Sequence, residues 1–350
     1  MTIYLAIFAV FSALALLRLW KPGKLDAIAI LIAGFLTIFV GYRYYIGVDW
    51  ITYEIIFLDV SRLSLIDALG YGDSAYSFVN WVVAQFGGQV WHVNLICAAL
   101  FSWALVVFCK ILPRPGLALA VAVPTLIIIT AMGYTRQAAA VACIMLAFSQ
   151  FKGGINWRWL AWLCLAILFH RSAIFMAPIF VVSGSHQRWL SFAIGGALVA
   201  ILLFSVVLQN FGDVLSLYFE GDIESSGTIP RIAVGAMAGL SYFVIKDKDI
   251  FGERRTLLRN ISFAMIALLP MYFIIPSTTV IDRIGILLVP FQSAIMAGLA
   301  GSFERKPVAE GVLTTLILTS YAATLLVWLT FATFASYWVP YSNVLFVKWI

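Results

Sequence analysis

Apolar stretches about as long as a bilayer crossing follow one another along nearly the whole chain, separated by short polar breaks. A transmembrane helix needs about 20 apolar residues, with a range of roughly 17–25. On that rule the pattern predicts an all-α, polytopic membrane protein with about twelve spans, in a range of ten to thirteen. They fall near 2–19, 25–43, 91–110, 116–133, 136–151, 157–170, 172–184, 189–208, 231–246, 257–276, 281–300 and 308–334. The runs between 136 and 184 are short for full crossings, so broken helices are expected there. Residues 76–87, YSFVNWVVAQFG, are apolar but too short to span and read as a re-entrant or interfacial helix. If they crossed, every later assignment would invert.

Composition agrees with this pattern. The chain is 63% hydrophobic and only 11% charged, against about 25% charged in soluble domains. No stretch is polar enough for a separate soluble domain, so residues 1–350 read as one membrane domain. Its four cysteines, Cys97, Cys109, Cys143 and Cys164, lie in or beside apolar runs without metal-ligand spacing. They read as small packing residues. The first run has no basic residue before it and is followed by Arg18, Lys21 and Lys24, which favours a retained span with its N-terminus outside. With that start, 15 of the 22 Lys and Arg fall in inner loops, the densest between Lys246 and Arg259, as the positive-inside rule requires. The net charge of +6 is dispersed in this way and does not point to nucleic acid.

The few outer basic residues are mostly arginines at span ends: Arg43, Arg136, Arg171, Arg231 and Arg283. Arginine presents a planar fork suited to phosphate or carboxylate and stays charged when partly desolvated. Two outer segments, 43–75 and 209–230, are long enough to form a functional face; FEGDIESSGTIP in the second would serve as a lid or a plain connector. GYRYYIGVDWITYE, 41–54, sets Arg43, Asp49, Tyr53 and Glu54 among aromatic side chains, either as an interfacial belt with a local ion pair or as a site. GYTRQAAAVA, 133–142, places Arg136 and Gln137 in the first turn of a helix. There the free N–H groups and helix dipole add to the guanidinium and favour an anion; ordinary anchoring is the plainer reading. LAILFHRSAIFMAPIF, 165–180, puts His170 and Arg171 inside hydrocarbon at the outer junction of two spans. STTVIDRIGILLVPFQ, 277–292, repeats the arginine-in-first-turn pattern with Asp282 and Arg283, and Arg231 follows Pro230. Ionisable residues at such depth are costly and mark sites by default. Metal-ligand motifs and nucleotide-binding loops are not found, so no metal or cofactor is expected.

The order of these motifs resembles a known family. An R-x₃-G-x-D-x₃-Y segment (Arg43, Gly47, Asp49, Tyr53) precedes a glycine–aromatic segment near 70–78. After them come an R-Q-A helix start (Arg136, Gln137), an F-H-x-S-A junction (Phe169, His170, Ser172, Ala173) and a D-R pair (Asp282, Arg283). This is similar to the EpsG-like family of bacterial polysaccharide polymerases, related in role to the Wzy O-antigen polymerases, over roughly 40–290. The resemblance leaves room for a GT-C-like arrangement.

The resemblance implies an enzyme on the outer face of the bacterial inner membrane. Such an enzyme joins oligosaccharide units carried on undecaprenyl diphosphate, without ATP or a metal, with membrane lipid around it and a chain-length regulator as a partner the role allows. Carried onto these residues, Arg136 and Arg283, with Arg43 and Arg171, would hold the donor diphosphate. Arg231, Gln137 and Asp282 would line the same site, and Tyr53 and its aromatic neighbours would meet sugar faces. Asp49 or His170 would take the proton from the attacking hydroxyl, with Glu54, Asp213 and Glu220 as weaker candidates. A ligase would need almost the same site. A flippase would want polar residues through mid-membrane, and an acyltransferase would want its histidine on the other side.

Overall fold

The computed structural model describes residues 1–184, 227–245, 247–275 and 277–346. Among them the secondary structure is helical, apart from a single bridge between Arg43 and Asn343. The expected span at 189–208 and most of the segment 209–230 lie outside the described residues.

Helices α1 (Thr2–Leu16), α2 (Ala27–Gly41), α6 (Val90–Lys110), α7 (Pro115–Ala122), α8 (Thr135–Gln150) and α9 (Trp157–Phe169) form the first part of a bundle. Between α2 and α6 lie three short helices, α3 (Trp50–Ser61), α4 (Leu65–Gly70) and α5 (Ser74–Gln85). After α9, a 3₁₀ turn Arg171–Phe175 leads into α10 (Met176–Gly184). The remainder comprises α11 (Thr228–Val244), α12 (Arg255–Met271), α13 (Thr278–Gly301) and α14 (Pro307–Phe331).

Three of these helices, α6, α13 and α14, are long and apolar enough to cross a membrane. Several others, α1, α2, α9 and the 171–184 segment among them, are apolar but shorter. The short elements expected after residue 136 are therefore present as short helices. α7 continues as a π-helical stretch, Val123–Ala131, opened by Pro124. Proline has no N–H for the i→i−4 ladder, and a shift to wider rings absorbs the gap. α8 is buried on all sides, from Ala138 to Phe148, because its alanines let α6 and α9 approach closely. Gly239 does the same for α11: a Cβ there would stand 2.8 Å from the Ser262 carbonyl oxygen of α12. Three of the cysteines are buried packing residues as expected, whereas Cys164 faces outward from α9.

The two ends of the bundle differ in chemistry. At one end, Glu310 is fully buried and pairs with both Arg18 and Arg114, so the end of α1 and the starts of α7 and α14 meet there. At the same end Lys110, closing α6, binds Asp26 at 2.8 Å and the Lys21 carbonyl at 2.6 Å. Arg254 donates to the carbonyls of Phe148 and Ser149 at the close of α8. At the opposite end, residues 332–346 fold back over the chain. Trp338 donates to the Ile128 carbonyl, Tyr4 donates to that of Trp338, and Tyr341 donates to that of Phe39.

The helices α3 to α5 lie at this second end. α5 begins beside the start of α8, and Gly88 in the turn after it packs against Val83 and His92 where α6 begins. Both of its ends are thus on one side of the bundle. Segment 43–75 is correspondingly a helical cap in place of an open loop.

Candidate active site

The glycine–aromatic segment carries the central carboxylate. In GYGDSAY, Gly72 takes φ +67° and sets Asp73 as the residue that opens α5. An aspartate there ordinarily caps its own helix. Asp73 makes no such bond. It turns across the bundle end, where its Oδ2 accepts from an Arg136 guanidinium N–H at 3.0 Å and from His170 Nδ1 at 3.3 Å. Its Oδ1 accepts from the Arg171 backbone N–H at 3.2 Å.

The HR pair in the middle of hydrocarbon is explained by this carboxylate. α9 ends at His170, whose backbone is extended at φ −159° and ψ 119°. That break sends the two side chains apart. The imidazole is buried against Asp73, whereas the Arg171 side chain is 67% exposed and contributes its backbone N–H inward. The other face of the ring meets α8: Gln137 Nε2 stands 3.1 Å from His170 Nε2. Arg136 lies over the ring of buried Tyr53 at 5.9 Å, and Tyr53 packs on Tyr76 at 5.7 Å. Tyr53 therefore props Arg136 from beneath.

Asp49 approaches from the loop between α2 and α3. Gly47, at φ +97°, lies so close to the turn before α8 that a Cβ would stand 2.7 Å from the Met132 carbonyl oxygen. Only glycine fits that contact and that dihedral. Asp49 is half-buried, makes no capping bond, and has no hydrogen-bonded partner among the described residues. Burial pushes its carboxyl above the usual carboxylate range, against the pull of Arg136 and Arg283. Arg283 is exposed and its charge acts on both Asp49 and His170. Next to Asp49, Tyr44, Tyr45 and Trp50 pack ring on ring, with centroids 4.7–5.9 Å apart. Glu54 accepts from the Trp50 indole at 3.0 Å.

Electrostatics follow from the geometry. Burial opposes ionisation of Asp73, but His170, Arg136 and the Arg171 N–H together outweigh it and hold the carboxyl below its ordinary value. Burial lowers His170, with Arg136 and Arg283 adding to it and Asp73 opposing. Burial thus disfavours the imidazolium form of the ring. Three guanidiniums, of Arg136, Arg171 and Arg283, then face two carboxylates, and the balance favours an anion. Thr135 bonds to Asn94 at 3.1 Å, one turn inside the start of α6, so α8 begins about 5 Å below that rim.

The remaining expected site residues lie elsewhere. Arg43 is 1% exposed and donates to the Val40 carbonyl at 2.8 Å, Thr135 Oγ1 at 2.6 Å and Asn94 Oδ1 at 3.4 Å. It joins α2, α6 and α8 behind the cluster. Arg231 is bonded to Asp282, and the pair clasps α11 to α13. Of the three arginines at helix starts, Arg136 is paired with Asp73 and Arg231 with Asp282, while Arg283 is exposed near Asp49 and His170. Asp73 was not among the sequence candidates. Its signal was available: it is the sole acidic residue in the 70–78 segment. A carboxylate before a helix reads as a cap, and the cross-bundle partners lie 63 and 97 residues away in sequence. Among the described residues no group of His, Cys, Asp and Glu could hold a metal ion.

The EpsG family model matches residues 26–343, nearly the whole chain. No curated protein and no solved structure matches it.

Proposed function

We propose a specific reaction for this chain, which belongs to the EpsG family of Wzy-like polysaccharide polymerases. It joins oligosaccharide repeat units carried on undecaprenyl diphosphate, transferring the growing chain from its lipid diphosphate to a sugar hydroxyl of the incoming unit. The single observation that carries this reading is the convergence of Arg136, Arg171 and Arg283 on one end of the bundle, beside Asp49 and the Asp73–His170 pair.

The residues support the chemistry as follows. Exposed Arg171 and Arg283 are placed to take the donor diphosphate, with Arg136 behind them. Preorganised cations stabilise the charge that builds on the leaving diphosphate as the glycosidic bond breaks. Asp49 or His170 accepts the proton from the attacking hydroxyl, which contributes about 10²–10⁴-fold. Tyr44, Tyr45 and Trp50 offer ring faces to sugars. The leaving group brings its own free energy, so a nucleotide is not required.

Orientation rests on charge. The end opposite the site gathers Arg18, Lys110, Arg114 and Arg254. By the positive-inside rule that end faces the cytoplasm and the site faces out, towards the periplasm of the inner membrane. A flippase would need polar groups through the middle. There the polar side chains of the described residues include Gln292, bonded to Tyr321 at 3.2 Å, and scattered buried hydroxyls such as Ser102 and Ser293.

The test is the surface-glycan profile of the source bacterium with this gene deleted and then complemented. Glycan reduced to one repeat unit, restored by wild type and not by Arg136→Ala at equal protein level, is the expected result. Complete loss of surface glycan would indicate a ligase or flippase. An unchanged ladder would end the polysaccharide reading.

A further inference from the structure

The site holds two candidate proton acceptors, and its hydrogen bonds distinguish them. Gln137 turns its Nε2 towards the imidazole, and an amide nitrogen can only donate. The ring Nε2 therefore accepts, which leaves the proton on Nδ1, where it is donated to Asp73 Oδ2. Both ring nitrogens of His170 are engaged in the resting protein, and the ring is 8% exposed. Asp49 is the opposite case, a half-buried carboxylate with no hydrogen-bonded partner among the described residues. The charged groups around His170 are Asp73 from α5, Arg136 from α8, Arg283 from α13 and its neighbour Arg171; those around Asp49 are Arg136 and Arg283.

We propose that Asp49 is the proton acceptor of this site and that Asp73 is a positioning residue. In this division Asp73, through His170 and the Arg171 backbone, fixes the ring tautomer and aims Arg136 and Arg171. The inference rests on the polymerase reading above. In the step, the O–H bond of the acceptor sugar breaks and its proton goes to an Asp49 carboxylate oxygen. The new C–O bond forms at the anomeric carbon as the bond to the lipid diphosphate breaks, and the diphosphate leaves with the electron pair beside the arginines.

His170→Asn separates the roles. An asparagine Nδ2–H can replace the Nδ1–H donated to Asp73, but the amide cannot take a proton. The full chain is purified into vesicles and supplied with lipid-diphosphate-linked repeat unit extracted from the deletion strain, and chain extension is followed across pH.

Asp49→Asn should lose at least about 10²-fold in rate, the lower bound for a removed base. His170→Asn should lose less than that and keep the wild-type acid limb. Asp73→Ala should lose about 10²-fold through misplacement of the arginines. Its acid limb should also move to lower pH, because Arg136, released from Asp73, then acts on Asp49 alone. A loss with His170→Asn as large as with Asp49→Asn would overturn the assignment and make His170 the base. The polymerase reading would survive that outcome. An Asp73→Ala loss with an unmoved acid limb would reduce Asp73 to a structural role. Failure of every protein, wild type included, to extend the unit would remove the polymerase reading and this inference with it.

Discussion

At the residue scale, the site is built from side chains that are individually unfavourable. Asp49 is held half-buried with no hydrogen-bonded partner among the described residues, so burial disfavours its ionised form. A carboxyl with a raised folded pKa loses stability as pH rises through that pKa. Asp49→Asn should therefore unfold at a higher temperature than wild type at neutral pH, measured in detergent, although it no longer extends glycan. Unchanged or lower thermal stability would show that the carboxylate is satisfied in the folded chain. Asp73 has the reverse sign: its folded pKa is lowered, so its stabilisation is complete above about 3.9 and is lost as pH falls. Neutral His170, also lowered, contributes above about 6.5 and loses its contribution on acidification through its folded value.

At the element scale, short helices are held together by buried polar clasps at their ends. Glu310 is the clearest, with no exposed surface and two arginines from α1's end and α7's start. Glu310→Ala would leave partly buried Arg114 without this counter-charge. Breaking a buried pair costs about 3–5 kcal/mol, and the lower end applies because Arg18 is 45% exposed. Loss of thermal stability with the glycan chemistry intact in the surviving protein is the expected outcome. A variant as stable as wild type would show that water replaces the carboxylate. The α5 element illustrates a different balance. Its hydrophobic length is insufficient for a crossing, and Asp73 at its start is tied to α8 and to the α9 junction, so it lies across the bundle end.

At the scale of the whole molecule, the described helices carry one basic end and one end that holds the site, the aromatic cluster and the folded-back 332–346 segment. An impermeant thiol reagent applied to intact spheroplasts should label Arg62→Cys and leave Arg305→Cys unlabelled, in a chain where exposed Cys164 is replaced by serine. The reverse pattern would invert the molecule and place the site in the cytoplasm.

Periodicity and charge alone put Arg136, Gln137, His170 and Arg171 at helix ends, because membrane solvation forces ionisable residues to the ends of apolar runs. The family motifs around them are legible for the same reason: each lies within one helix start or one short junction between elements. Membrane class and helical content follow from local sequence alone. What only the tertiary structure decided is pairing. Arg43 and Arg231 look like Arg136 in sequence, yet one is spent on Thr135 and Asn94 and the other on Asp282. Asp73 looks like a helix cap, yet it binds groups from helices far along the chain. A side chain's own neighbours set whether it can be buried. Which distant partner satisfies it depends on how the helices pack, and hydropathy carries no record of that.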